Sequence, residues 1–447
     1  MGLTGQRLKP VIRERRTQGF SAPAALLLVL LLLAWAALPG CGRLRAAEKN
    51  TITIRSSFWG AAQDAKVWQE LAREFERQHP NIRIQLEHIA GQDYHAKLFA
   101  MAVGRCLPDV MATDDEPFRF LSDNGVYEDL TPYLAHEPQL ARNQFYTAAY
   151  DTFHVGKRQY ALPYIAHCLL IYYNRDHRRA AGLPPDPKPN WTWEDFNHDA
   201  IALTRDLDGD GRIDQFGANR LSWFYCLQWI WGAGGTDMDP QMTRYVFDTP
   251  QAKRGFQFHY DQMHKYHICP MESDLPNMTW ESMFLTGKVS MFMTGSWWLE
   301  QCRQAKNIDW DVAPMPRGPV CQATRATTEG LAISPQSPHK QEAWEWIKFV
   351  LSDAGQAVFA RYGRGIPSIR RVAQQVFPDP KTPQHEERFL YALDRYAHIT
   401  SIHAHWLQTA RVFDREWDRV MMGKINIDQF VRISLPEVNA IVRGEDE

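Results

Sequence analysis

TITIRSSFWGAAQDAKVWQELAREFERQHPNIRIQLEH, residues 51–88, decides the fold class. Thr51–Arg55 reads as a strand. From Ala65 to Gln78 apolar side chains recur at 67, 68, 71, 72 and 75, the period of a helix with one buried face. His79-Pro80-Asn81 stops it, and Ile82–His88 alternates as a second strand. Tyr94–Val103 predicts another helix, and PDVMA at 108–112 a short buried strand. This β-α-β-α-β order predicts an α/β fold with a mostly parallel sheet flanked by helices. Ligands of such sheets bind beyond the carboxyl ends of the strands. That rim carries Trp59 after the first strand and Asp114, Asp115 and Glu116 after the third. Acids beside an aromatic ring suit a hydroxyl-rich ligand, with a solvated loop as the alternative.

Further along, CLLIYYN at 168–174 predicts a long buried strand entered through Ala161-Leu162-Pro163-Tyr164. Thr192 is a cap for a helix whose first turn holds Glu194 and Asp195. FLTGKVSMFMTGSWWLE at 284–300 reads as a strand, a tight turn at Gly295 and a helix opened by Ser296 as N-cap. Two indoles, Trp297 and Trp298, then stand beside free N–H donors. Sugars suit such a surface, because their C–H faces lie on an aromatic ring while fixed donors bond their hydroxyls. One of the two indoles is expected in a ligand cleft and the other in the core. Trp223, Tyr225, Trp229 and Trp231 crowd another helix, and one or two of them are expected to reach the same cleft. TTEGLAIS at 327–334 is a strand with Glu329 near its start, and Arg364-Gly365-Ile366-Pro367 a constrained crossing.

The N-terminus reads as an address. Five Lys/Arg against one Glu precede the apolar run Ala24–Leu38, which is short for a membrane span. The run ends in Leu38-Pro39-Gly40-Cys41, which resembles a bacterial lipoprotein processing site and implies a signal peptide over 1–40 and acylation of Cys41. Loss of those forty residues takes the formal charge from −2 to −6, and no basic stripe argues for nucleic acid. Six cysteines remain, at 106, 168, 226, 269, 302 and 321, without a CxxC; disulfides stay open. DLDGDGRID at 206–214 places Asp206, Asp208, Asp210, Arg212 and Asp214 at ligand positions of a calcium loop, but position 12 is Gly217 instead of Glu. A structural calcium and a tight turn with self-capping aspartates are the two readings; no other cofactor is expected. His264, His267, His403 and His405 read as surface residues rather than a metal site.

Taken in order, five segments resemble the extracellular solute-binding proteins of bacterial carbohydrate ABC transporters, the group that includes maltose-binding protein. They are YALPYIAHCLLIYYNRD (160–176), AGLPPDP with WTWEDF (181–196), DLDGDGRIDQFG (206–217), FLTGKVSMFMTGSWWL (284–299) and EGLAISPQSPHKQEAWEWIKFVLS (329–352). The resemblance implies two α/β lobes, 50–161 with 329–365 and 162–328 with 366–447, closing on a sugar that is passed to permease subunits at the membrane. It implies Trp297 or Trp298 as the sugar platform, Tyr164 and Asp114 or Asp115 as ligand contacts, and Arg364 and Gly365 lining the cleft. Trp59 and Trp223 transfer less directly. Glu329 departs from the small residue usual there, implying an added polar contact or a ligand other than a plain neutral sugar. No covalent chemistry is expected. An exported glycoside hydrolase using two of Asp114, Asp115, Glu116 and Glu329, or a receptor for a non-sugar solute, is the alternative.

Overall fold

A computed structural model describes residues 51–60, 62–89, 94–378 and 383–445. The leader expected over 1–40 and the acylation expected at Cys41 lie outside them. Among the described residues no helix is long and apolar enough to cross a membrane.

The periodicity of the opening stretch translates directly into packing. The helix Ala62–Gln78 buries Val67, Trp68, Leu71, Ala72 and Phe75. Each large side chain so buried contributes about 1.5–3 kcal/mol over its exposed state. The strands are β1 (Ile52–Phe58), β2 (Ile82–His88), β3 (Val110–Asp114), β4 (His154–Val155), β5 (Arg158–Gln159) and β6 (Leu162–Asn174), followed by β7 (Phe216–Ala218), β8 (Val289–Gly295), β9 (Trp310–Ala313), β10 (Thr324–Ile333), β11 (Ile366–Pro367) and β12 (Ala397–His398). β4 and β5 form a separate hairpin, and a single sheet runs β2-β1-β3-β10-β6-β8-β7, with β9 and β11 on β6 and β12 on β10. β1 is parallel to β2 and β3, as the βαβαβ order requires. The sheet as a whole is more mixed than the expected mostly parallel one. β10 lies antiparallel to β3 and β6, and β6 antiparallel to β8 and β9; of these, β6 and β10 pass from one large core to the other.

Two large cores share these crossing strands. One gathers β1, the helix Ala62–Gln78 and the helix Lys340–Val350, with Leu162, Tyr164 and Ile165 of β6 and Leu331 and Ile333 of β10. The other takes β6 from Ala166 onward with β8, β9 and the C-terminal helices Trp406–Met421 and Ile427–Val442. All thirteen residues of β6 are buried. A strand solvated on neither face reads as a continuous apolar run, which is how it stood in the sequence. Where the cores meet, the β6–β10 pairing slips between Glu329 and Gly330.

Candidate functional site

The crossing concentrates charge. Glu329 accepts a hydrogen bond from the buried Tyr164 hydroxyl and two from Arg364 Nη2, at 2.9 and 3.0 Å. Arg364 Nε also pairs with Asp64 at 2.5 Å. Burial first, and the neighbouring Glu329 next, push the Tyr164 hydroxyl well above its ordinary pKa, so it stays a donor. Gly365 is obligatory here, because a Cβ would stand 2.6 Å from His167 Cε1.

Across β3, Asp114 lies opposite Glu329 in the ladder. Its neighbour Asp115 is buried and takes Arg325 Nη2 and Thr327 Oγ1, each at 2.7 Å, while Glu116 meets Arg325 at 3.4 Å. Arg325 lies 3.9 Å over the Phe224 ring. Asp114 is the acid of this group without a cation. One of its oxygens has no hydrogen-bond partner and sits 3.8 Å from His95 Nε2, which also has none. Burial, then repulsion from Asp115, Glu116 and Glu329, raises its pKa well above the carboxylate range. Burial lowers His95 to about 3, so it is neutral at physiological pH and offers no charge in return. The half-buried Trp59 packs 5.0 Å from the Tyr94 and His95 rings, which places it beside Asp114.

The facing wall comes from the second core. β8 ends at Gly295, a single 3-10 turn covers Ser296–Trp298, and the helix Leu299–Gln304 follows. Gly295, and not Ser296, stands at the N-cap of that turn, and the Ser296 hydroxyl is buried against His167 Nδ1 at 2.8 Å. Trp297 folds back over Gly295 so closely that a Cβ there would lie 2.0 Å from the indole, and its ring meets His167 edge-on at 5.5 Å. Trp297 therefore stays half-buried with a fixed orientation. Trp298 turns the other way, 2% exposed, among Tyr172, Phe284 and Phe292. Trp223, expected near the cleft, is also core: its indole N–H donates to Asp414 at 2.9 Å and its ring packs on Phe413. A cavity of about 160 Å³ lies against Trp297, lined also by Tyr225, Trp280, Arg220 and Glu281. The Arg220 guanidinium stacks 5.0 Å over Trp280 and pairs with Glu272. A second cavity, about 270 Å³, touches the same indole from the side of Asp64, Arg364 and Gln301.

Sequence reasoning missed Arg220, His95, His167 and Asp64, and passed over Trp280. Only Trp280 had a local signal, standing directly after the helix cap Thr279.

The 206–214 loop closes on itself. Asp206 accepts from the N–H groups of Gly209 and Gly211, Asp208 from Asp210, Asp210 from Arg212, and Asp214 from Leu207. Carboxylate oxygens of Asp206, Asp208 and Asp210 lie within 4.8 Å of one another, a spacing a cation could bridge. The missing twelfth ligand has a physical reason. Gly217 sits in β7 with Ala200 O 2.0 Å from where its Cβ would be, so no side chain fits. The six cysteines among the described residues are free, and burial raises the pKa of Cys168, Cys226, Cys269 and Cys302 far from thiolate formation. His403 is buried against the Tyr245 hydroxyl at 3.0 Å instead of lying on the surface.

Comparison with known proteins places this architecture. A binding protein of Brucella abortus (strain 2308) is 21% identical over 388 residues, 86% of this chain and 91% of its own length. An uncharacterized lipoprotein from the oleD 5′ region of Streptomyces antibioticus is 25% identical over 338 residues, 73% of this chain and 71% of its own. Among solved structures, the ABC substrate-binding protein Lmo0181 of Listeria monocytogenes, in complex with cycloalternan, superposes with a TM-score of 0.78 at 22% identity, covering 88% of this chain and 99% of that one. The fold is therefore the two-lobed α/β architecture of periplasmic binding proteins. Residues 60–357 match the bacterial extracellular solute-binding protein family, and the chain belongs to that family.

Proposed function

We propose that the protein is the substrate-capturing subunit of a carbohydrate ABC transporter, tethered outside the membrane through an acylated Cys41 and delivering its sugar to the permease. The observation that carries this reading is Trp297, an indole pinned by Gly295 and His167 between one cavity walled by rings with Arg220 and Glu281 and another walled mostly by polar side chains. A pre-set aromatic face loses little entropy on meeting a sugar ring, and the polar groups around it fix which hydroxyls are accepted. The Listeria neighbour's cycloalternan and the lipoprotein relative support the carbohydrate and the anchor.

Binding without turnover is the better reading of the acids. Asp115 and Glu116 are held by Arg325 and Glu329 by Arg364, so of these four carboxyls only Asp114 lacks a cation. A hydrolase needs two carboxyl groups free to work on the same bond. Closure follows from differential affinity: a ligand touching both lobes favours the closed form by the contacts it gains there. The test is a calorimetric titration with the sugar that shifts the melting temperature in a carbohydrate screen. Trp297→Ala is expected to weaken binding by about 2 kcal/mol, roughly thirty-fold in Kd. Unchanged affinity would remove this site from the proposal.

A further inference from the structure

Trp297 stands between two chambers that differ in what surrounds them. The first, about 160 Å³, is built by one lobe alone, from the Asn219–Tyr225 loop, Trp280, Glu281 and the end of β8. Its walls are rings, Tyr225, Trp280 and Phe292, with Arg220 and Glu281 among them. The second, about 270 Å³, is built by both. Asp64 and Val67 come from the helix Ala62–Gln78 and Arg364 from the crossing, while Glu300, Gln301 and Gln304 come from the helix after the GSWW turn. Trp297 is the residue common to both linings.

Neither chamber alone reaches the roughly 300–1,000 Å³ of a small-molecule site, whereas the pair does. Their chemistry divides the labour in the same way. Stacking holds a ring in the first chamber, and hydroxyls meet carboxylates, amides and a guanidinium in the second. The division matters for mechanism. A single ring in the first chamber touches one lobe only and has no differential affinity for the closed form, so it cannot drive closure. Resting on the carbohydrate reading, we propose that the ligand is an oligosaccharide of at least two units, laid across Trp297 with one ring in each chamber, and that the second unit closes the protein.

The experiment titrates matched series of one to four units of glucose, mannose and arabinose calorimetrically into the full mature chain. Within the series that binds, affinity is expected to rise at least tenfold from one unit to two. Gln301→Phe and Gln304→Phe, at exposed positions that line the second chamber, are expected to abolish the gain from the second unit, leaving the two-unit ligand no tighter than the single unit. A single unit bound as tightly as longer members, or a gain that survives both fillings, overturns the two-chamber assignment and leaves the carbohydrate reading standing. Binding to no member of any series overturns both.

Discussion

The two sides of the cleft are made of different materials. On the side of β3 and β10 the groups are charged: Asp115 and Glu116 on Arg325, Glu329 on Arg364 and Tyr164, and Asp114 without a cation. On the side of β8 they are aromatic: Trp297, Trp280, Tyr225 and Phe292, with Arg220 laid on a ring. The charged side is ordered by partners far apart in sequence, so its geometry depends on the crossing strands staying in register. The aromatic side is held ring by ring, Trp297 by Gly295 and His167, and Trp298 by the core around Tyr172 and Phe284. Removing a partner should therefore unsettle the first side as a network, while the second should fail one ring at a time.

The sharpest break between the two is at adjacent residues. Trp298→Ala removes a core indole and is expected to cost about 3–5 kcal/mol of stability in urea unfolding. Trp297→Ala should leave stability nearly intact and fall on affinity alone; similar stability losses for both would end the distinction. On the charged side, Arg364→Ala leaves Glu329 buried beside Tyr164 without its cation, and a loss of about 3 kcal/mol is expected in the same assay. A loss under 1 kcal/mol would show that the network is not a unit.

The next effect reads His167, which touches Gly365 on one side and Trp297 on the other. Burial, with Arg364 adding to it, lowers His167 to about 3. The unfolded chain then binds more protons than the native one from about pH 6.5 down to 3, so stability falls as pH drops through that window. At pH 5 His167 alone accounts for about 2 kcal/mol, and His167→Gln should flatten the stability–pH curve by that amount. A slope unchanged in the variant would place the titration elsewhere. The smallest effect is Gly295→Ala, whose methyl collides with the indole of Trp297. Sugar affinity should drop about tenfold, about 1.4 kcal/mol, with the melting temperature nearly unchanged.

Much of the fold was legible because its signals are local. The helix at 62–78 follows from five apolar positions, and the capping box of Thr192 with Asp195 from a four-residue pattern. The site was legible only in part. Sequence identified the GSWW turn and Glu329 but not which indole faces the cleft. Neighbouring residues on a 3-10 turn point about 120° apart, and Tyr172 and Phe284, which claim Trp298, come from other segments. Trp223 was drawn toward the cleft by the density of aromatics around it, yet Asp414, 191 residues away, holds its N–H in the core. Arg220 on Trp280 and His95 beside Asp114 are pairings no spacing announces.

The slip between Glu329 and Gly330 has a mechanical meaning. β6 and β10 stay bonded to each other on both sides of it, so the halves share a ribbon of backbone and are not joined by loose tethers. Any movement of one half against the other must wring that ribbon, and the slip falls where Tyr164 and Arg364 hold Glu329. A two-stranded ribbon resists twisting through its own ladder, so such movement works against a restoring torque built into the backbone itself.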